Sequence, residues 1–398
     1  MNAIHRKREH HMHIRSTART ATALAGLLTA AVTLTACGSG DDADAQDRAI
    51  AEPIAVTFDG GIHVLDGRTL ELGGTTRLDG FNRLNPAGDE RHLMVSTSEG
   101  FRVYDAIAAE FTDISFPGPE PGHVVRHAGR TVLFTDGTGE VVSFDPADLA
   151  AGAPPTEVYK TPQPHHGVAV ELADGKLVVT LGTEEKRTGL AVLDERRTEI
   201  TRNEDCPGVH GEAAAEDETV VVGCENGVLV YRGGVITKIT SPTPYGRIGN
   251  QAGSPESAIV LGDYKQDKDA ELERPQQVSL IDTTTGSLRL VDLGASYTFR
   301  SLGRGPQGEA LVLGTDGRLH VIDPVAGTVV RRIDVLAPWQ EPLKWQQPRP
   351  ALFVRGGDVY VSDPATKQVH RIDLAAGTVA ASVTLPDSPN ELSGVSAH

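Results

Sequence analysis

The segment EALVLGTDGRLHVID, which spans Glu309–Asp323, contains the pattern that decides the fold. Two runs of alternating apolar residues flank the dipeptide Asp316-Gly317, and an Asp-Gly pair between such runs is typical of a tight β-hairpin turn. The same arrangement recurs in TVLFTDGTGEVVSFD (Thr131–Asp145), TVVVGCENGVLVY (Thr219–Tyr231) and DVYVSDPATKQVHRID (Asp358–Asp373). The sequence therefore predicts antiparallel strand pairs that repeat through the body of the chain.

The repeating unit is about 45 residues long, and its second hairpin strand is followed by another turn and another strand. Four antiparallel strands in a unit of about this length are typical of a β-propeller blade. The residues that precede the first, innermost strand of each unit are Phe81, His123, His166, His210, Asn250, Thr298, Trp345 and Asn390. The pattern predicts an all-β propeller of eight four-stranded blades, or of seven if the weak unit at residues 240–295 is not a blade.

The two ends of this repetitive body complete each other. Residues 53–78 contain three strands without a first strand, and the terminal segment NELSGVSAH (residues 390–398) contains a first strand without successors. Pairing of the N- and C-terminal strands would close the ring and leave no sheet edge exposed. We therefore expect residues 51–398 to form a single β-propeller domain.

The N-terminal segment has the composition of an export signal. Basic residues precede an uncharged run from Thr20 to Ala36, and the run ends in Leu-Thr-Ala-Cys-Gly around Cys37. This sequence resembles a bacterial lipobox, in which Cys37 is lipidated and becomes the mature N-terminus. We expect residues 1–36 to be a lipoprotein signal peptide and residues 37–50 an acidic flexible tether. The alternative is an ordinary signal peptide that contains a cysteine.

The charge and the signal together predict where the protein works. The formal net charge of −17 argues against a nucleic-acid partner or direct binding to anionic lipid. Membrane contact is then expected only through the lipid on Cys37. We expect an exported monomer, anchored by its lipid to the outer face of the bacterial cytoplasmic membrane.

Three histidines occupy the same position in consecutive blades. His123, His166 and His210 are 43 and 44 residues apart, which is the blade period. Equivalent positions in neighbouring blades point the same way, so the three imidazoles should converge at one rim of the central channel. Zinc favours nitrogen ligands in a tetrahedron, and three histidines fill all but one position. The fourth ligand could be water, His165, Glu212 or another nearby acidic side chain.

Two cysteines remain once Cys37 is assigned to the lipobox. Cys206 and Cys224 in an exported protein favour a disulfide, which would hold the backbone just before His210. The competing interpretation is that the Cys206 thiolate and His210 both bind zinc. An oxidising compartment favours the disulfide.

Several of these segments also resemble a known family, the AztD-type zinc metallochaperones. The similar runs are PEPGHVVRH (Pro119–His127), HHGVAV (His165–Val170), CPGVHGEA (Cys206–Ala213), YGRIGN (Tyr245–Asn250), LGRGPQGEALVLGTDGRLHVIDP (Leu302–Pro324) and PNEL (Pro389–Leu392). The resemblance implies a secreted propeller that binds zinc and delivers it to the solute-binding protein of a zinc ABC importer. Two features depart from that family: the lipobox, and an acidic mature N-terminus that has no histidine-rich arm.

The sequence therefore favours a zinc chaperone that is not an enzyme. A zinc-dependent hydrolase, such as a propeller lactonase, is a second hypothesis, because three protein ligands and a bound water also form a catalytic zinc site. It would need a general base, and Glu212 is the candidate. A metal-free propeller that serves as an interaction scaffold is the third hypothesis.

Overall fold

The computed structural model describes residues 50–396, and the regular secondary structure of these residues is almost wholly β-strand. The predicted lipoprotein signal peptide, the lipidation site at Cys37 and nearly all of the tether lie outside the described residues. Two short 3₁₀ helices, Pro146–Ala151 and Glu216–Glu218, interrupt the strands. In the described part of the chain, no helix is long and apolar enough to cross a membrane.

The strands form eight blades, which we number from the N-terminus. Blade 1 contains β1 (Ile54–Phe58), β2 (Gly60–Leu65) and β3 (Leu72–Leu78), and blade 2 contains β4 (Arg83–Pro86), β5 (His92–Thr97), β6 (Gly100–Asp105) and β7 (Glu110–Pro117). Blade 3 contains β8 (Pro121–His127), β9 (Arg130–Thr135), β10 (Glu140–Phe144) and β11 (Glu157–Lys160), and blade 4 contains β12 (Ala169–Glu171), β13 (Leu177–Gly182), β14 (Arg187–Leu193) and β15 (Glu199–Asn203).

The second half of the ring follows the same plan. Blade 5 contains β16 (His210–Ala215), β17 (Thr219–Cys224), β18 (Asn226–Arg232) and β19 (Val235–Thr240), and the short β20 (Gly246–Arg247) pairs with β18. Blade 6 contains β21 (Gln251–Ala252), β22 (Ile259–Gly262), β23 (Gln277–Asp282) and β24 (Ser287–Asp292). Blade 7 contains β25 (Leu302–Arg304), β26 (Ala310–Leu313), β27 (Arg318–Asp323) and β28 (Thr328–Asp334). Blade 8 contains β29 (Leu352–Arg355), β30 (Asp358–Asp363), β31 (Gln368–Asp373) and β32 (Thr378–Thr384), and β33 (Leu392–Gly394) follows it.

The prediction of an all-β propeller with eight four-stranded blades is confirmed. The weak unit at residues 240–295 is a blade whose innermost strand, β21, is only two residues long. That shortness explains its weak sequence pattern. The charged segment between β22 and β23 lengthens one connection and leaves the pairing of the two strands intact.

The ring closes by pairing its two ends, as the sequence predicts. β33 is the innermost strand of blade 1 and runs antiparallel to β1, with Ile54 opposite Gly394 and Val56 opposite Leu392. The amide of Thr57 donates to the carbonyl of Glu391 at 3.0 Å, which extends the ladder by one residue. The closing strand gives blade 1 its fourth strand, and each blade then has a neighbour on both sides.

Burial along each blade follows from its two neighbours. The middle strands are covered on both faces, so β26 reads as a continuous buried run of apolar residues. The outer strand β28 faces solvent and contains mostly exposed residues. Blades 3, 4 and 5 share one continuous hydrophobic core, to which each contributes its middle strands. The three histidine-bearing strands therefore rest on one packed unit.

Five histidines have pKa values below the ordinary 6.5, and burial is the largest cause for each of them: His63, His127, His165, His210 and His370. Below about pH 6.5 the unfolded chain takes up protons at these side chains that the folded chain resists. The free energy of unfolding is therefore highest when these histidines are neutral in both states, and it falls as the pH drops from about 6.5 towards their lowered pKa values. We expect the urea midpoint of the zinc-free protein to fall between about pH 7 and about pH 5.5. A midpoint that is constant across this window would contradict the burial of these imidazoles.

Candidate metal centre

The blade period brings His123, His166 and His210 to one end of the channel. His123 is the third residue of β8, His166 lies three residues before β12, and His210 opens β16. These are the innermost strands of blades 3, 4 and 5. His123 thus lies inside its strand and not just before it, because β8 begins earlier than the sequence pattern indicates.

The three imidazoles face one another at distances suited to one metal ion. One ring nitrogen from each histidine lies within 4.8 Å of the other two. The ring centroids are 5.0–5.7 Å apart. A tetrahedral zinc ion with Zn–N bonds of about 2.1 Å holds its nitrogens about 3.4 Å apart. Small rotations of these side chains would bring the three nitrogens to that spacing.

Backbone contacts fix the orientation of His210. Its Nδ1–H donates to the carbonyl oxygen of Gly249 at 2.5 Å, which leaves the Nε2 lone pair free to bind a metal. The buried carboxylate of Asp263 accepts from the amide of Gly249 at 2.6 Å and so holds that carbonyl in place. Burial, the neighbouring His123 and His166 rings and the Arg247 guanidinium together hold the pKa of His210 well below 6.5. His210 is therefore neutral, as a metal ligand must be, at neutral pH.

Irregular strand pairing aims two of the histidines at the site. The register of β16 against β17 shifts between His210 and Glu212, and that of β8 against β9 shifts between Pro121 and Val124. The first shift needs Gly211, whose φ is +70°. A Cβ on Gly211 would lie 2.6 Å from the carbonyl oxygen of Gly249, so a larger residue would displace the acceptor of His210. Such bulges commonly re-aim side chains beside functional sites.

His166 is held by a carboxylate that the sequence analysis missed. Its Nδ1 lies 2.5 Å from Oδ2 of Asp136, which directly follows β9 in blade 3. The other oxygen of Asp136 accepts from the amide of Gly167 at 3.2 Å. Asp136 belongs to the Asp-Gly turn of a predicted hairpin. The sequence analysis therefore explained it as a turn residue and did not consider that it contacts a histidine. The signal that could have revealed it is that the β9–β10 turn lies at the same end of the blade as the histidines.

Glu212 provides the third contact of this kind. Its Oε2 lies 3.4 Å from Nδ1 of His123, and both side chains are about four-fifths buried. Each of the three histidines therefore has an oxygen partner near Nδ1, from Gly249, Asp136 or Glu212. In metal sites such partners orient the imidazole and raise its basicity at the other nitrogen. These contacts at Nδ1 leave the three Nε2 atoms available for a shared ion. The Glu212 carboxylate contacts His123 but lies outside the group of ligand atoms that are within 4.8 Å of one another, so its role as a fourth ligand stays a prediction.

His165 lies outside this cluster. It is 3% exposed, and its two ring nitrogens contact the carbonyl of Gln163 at 2.9 Å and the hydroxyl of Thr180 at 3.1 Å. Its pKa is lowered, chiefly by burial. The neighbouring His166 is exposed and contacts Asp136 instead. His165 is thus placed in the packed interior of blade 4.

The most exposed ligand candidate is His166. Its side chain is 43% exposed, against 20% for His123. A cleft of 370 Å³ opens beside it and is lined by acidic side chains that include Glu120, Asp136 and Glu184. An approaching molecule would reach the cluster from this side.

Cys206 and Cys224 form a disulfide with a Cα–Cα distance of 4.9 Å. Both residues are fully buried in the core shared by blades 3, 4 and 5. The bond ties the segment before His210 to the end of β17. Their sulfurs are bonded to each other, so the alternative in which Cys206 binds zinc as a thiolate does not hold in this structure.

We expect the double variant Cys206→Ala, Cys224→Ala to lose about 3 kcal/mol of unfolding free energy, because the crosslink closes a short loop that the unfolded chain would otherwise leave open. Urea unfolding at neutral pH measures this loss, and zinc titration of the same variant measures its effect on His210. The wild type treated with reductant is the control and should match the variant. An unchanged urea midpoint would show that the bond contributes nothing to folding.

Comparison with known proteins agrees with this architecture. No protein-family model matches the sequence. The chain is 24% identical over 296 residues to the zinc chaperone AztD of Citrobacter koseri, covering 72% of this chain and 68% of that protein. Two structures of Citrobacter koseri AztD, one of them the apo form, superpose with TM-scores of 0.75 and 0.74 at 22% identity, covering 86% of this chain and 96% of theirs.

A more distant structure shares the fold alone. The dihydro-heme d1 dehydrogenase NirN superposes with a TM-score of 0.57 at 13% identity, and the superposition covers 88% of this chain and 75% of the NirN chain.

The predicted resemblance to the AztD-type zinc metallochaperones is confirmed by the sequence and structural similarity to AztD.

Proposed function

We propose that this protein is an extracytoplasmic zinc metallochaperone that delivers zinc to the solute-binding protein of a zinc ABC importer. One observation carries the proposal: three imidazoles converge, and each has an oxygen partner near Nδ1. That arrangement prepares three Nε2 lone pairs for one ion before the ion arrives. The zinc chaperone AztD, to which the chain is similar, supplies the identity of the metal.

The uneven burial of the three histidines suggests how zinc could leave. His210 is held by backbone and lies deepest, whereas His166 is half-exposed at the cleft. An incoming ligand from the acceptor would bind the ion from the open side and replace His166 first. Zinc would then pass through an intermediate that shares ligands from both proteins, so no free ion is released.

We assign the site to carriage of zinc and not to catalysis. Glu212 is the candidate general base of a hydrolase, and its carboxylate lies against His123 at 3.4 Å. In that position it orients a ligand or binds the ion itself. No observation in the described residues favours the hydrolase or the metal-free scaffold over the chaperone.

We further propose that the protein acts outside the cytoplasm as a lipoprotein anchored through Cys37. The buried Cys206–Cys224 disulfide supports an oxidising compartment. The lipobox-like sequence before Cys37 supports the anchor. Metabolic labelling with a fatty acid should mark the wild type and leave Cys37→Ser unlabelled.

The decisive experiment is zinc transfer from purified residues 38–398. We expect one tightly bound zinc per chain, which moves to the zinc-free solute-binding protein of a zinc importer from the same genome. Transfer in the presence of excess chelator should be faster than the release of zinc to the chelator alone. Equal rates would mean that zinc passes through solution, and the chaperone function would then be rejected.

A further inference from the structure

The connection between β28 and β29 is unusually long. It spans residues 335–351 and contains both tryptophans of the chain, Trp339 and Trp345. Connections of this length within compact domains are uncommon and often have a function of their own.

This connection is firmly held in place. The buried guanidinium of Arg349 pairs with the buried carboxylate of Glu341 at 2.5 Å and donates to the carbonyl of Lys344 at 2.8 Å. The indole N–H of Trp339 donates to the carbonyl of Gly314 in blade 7 at 3.0 Å. Loss of either partner of a buried ion pair strongly destabilises a protein, because the other charge is left buried and unpaired. The Arg349–Glu341 pair therefore holds the segment in one conformation.

The held segment nevertheless presents large apolar side chains to solvent. Leu343 is 61% exposed and Trp345 is 53% exposed. The Trp345 ring meets the edge of Phe81 with a centroid distance of 5.0 Å. We call Leu343, Trp345 and Phe81 the Trp345 platform. Rigid, exposed aromatic side chains are enriched at the centres of protein–protein interfaces, where they fill a pocket on the partner.

The platform lies at the same end of the propeller as the candidate metal centre. Phe81 lies two residues before β4, the innermost strand of blade 2, in the connection that leads from blade 1. Trp345 belongs to the segment that precedes the innermost strand of blade 8, which opens at the same end of the channel. By touching Phe81, Trp345 reaches across blade 1 towards the histidine-bearing blades. The platform and the histidines therefore face the same side of the ring.

The charge at this end of the propeller indicates the charge of a partner that would dock on the platform. Acidic side chains outnumber basic ones on the connections at this end of the propeller. Glu120 and Glu184, for example, line the cleft beside His166. A partner that fits this face has an apolar recess for the indole and a rim of lysine and arginine.

We propose that the Trp345 platform is the surface on which the zinc-accepting solute-binding protein docks. This inference rests on the proposed function, because it assigns the platform to the recipient of the zinc. Docking there would hold the acceptor over the channel mouth and bring its ligands to the exposed His166. The platform then determines how fast zinc moves to the acceptor and has no part in holding the ion.

The test compares Trp345→Ala with the wild type, both loaded with zinc. We expect equal zinc stoichiometry and affinity, and transfer to the zinc-free acceptor slowed about tenfold or more, as for loss of an interface hot spot. Release to a small chelator should not change. Trp345→Phe should restore most of the rate. Val325→Ala is the matched control, since Val325 is 77% exposed in the turn between β27 and β28 at the other end of the ring.

The outcomes separate this inference from the proposed function. If the wild type transfers zinc directly and Trp345→Ala does so at the same rate, the platform is not the docking surface and the chaperone function stands. If the wild type binds no zinc or transfers none directly, both proposals fall. Self-association that depends on Trp345 in sedimentation velocity would assign the platform to a second copy of the chain and overturn the inference.

Discussion

His210→Ala is expected to lose more than about 100-fold in zinc affinity, beyond the 10–100-fold that loss of an orienting partner costs. Among the three candidate ligands, His210 is held by the backbone: Gly249 accepts from its Nδ1–H, which leaves Nε2 to bind the ion. His123→Ala and His166→Ala should also abolish tight binding, since two imidazoles would leave two of the four tetrahedral positions without a histidine. Competition titration with a zinc-binding dye measures each affinity.

His165→Asn is the matched control for that series. His165 neighbours His166 in sequence, but its nitrogens contact Gln163 and Thr180 inside blade 4. We expect this variant to keep its zinc affinity and to lose stability, because one buried hydrogen bond is broken. Loss of zinc affinity equal to that of His166→Ala would make His165 a ligand after all. Retention of tight zinc by all three cluster variants would remove the basis of the proposed function.

Asp136→Asn is expected to weaken zinc binding by about 10–100-fold without removing any ligand. The side-chain oxygen that remains at position 136 would take the place of Oδ1 and continue to accept from the amide of Gly167. The new NH₂ group would then take the place of Oδ2 and face Nδ1 of His166. An NH₂ group donates, and His166 would then have to accept at Nδ1 and carry its proton on Nε2. That tautomer cannot bind zinc through Nε2. Isothermal titration, with urea unfolding to confirm a folded variant, measures the loss.

Glu212→Gln distinguishes the two roles open to that carboxylate. If Glu212 only orients His123, its loss should resemble that of Asp136→Asn. If Glu212 is itself the fourth ligand, the loss should approach that of a histidine variant. An unchanged affinity in Asp136→Asn would show that the Nδ1 contacts do not determine the strength of binding.

Most of the fold follows from local chemistry that is visible in the sequence. Asp-Gly turns such as Asp316-Gly317 define the hairpins, and their regular recurrence defines the ring. Closure by β33 was predictable because the first unit of the sequence lacked an innermost strand and the last unit consisted of an innermost strand alone. The convergence of His123, His166 and His210 follows from the same period, because equivalent positions in a repetitive fold face one way.

The contacts that complete the site were less accessible, for a physical reason. Asp136 and Gly249 approach the histidines across blade boundaries, and no period relates them to their partners. Gly249, for instance, lies 39 residues after His210. The bulge at Gly211 depends on a single residue with positive φ, which hydrophobic alternation does not reveal. The separate orientations of His165 and His166 required the local backbone.

The closing strand has a consequence for how the protein can be made. The Thr57 hydroxyl accepts from the amide of Glu391, 334 residues away, so the first blade joins the earliest and latest parts of the domain. Contacts of such long range form slowly, because their loop-closure entropy must be overcome first. A chain that is made from its N-terminus contains β1 early. The edge of β1 that pairs with β33 then stays unpaired until almost the whole polypeptide has been made. Until β33 is available, the edge of β1 with which it pairs is open to pairing with other chains.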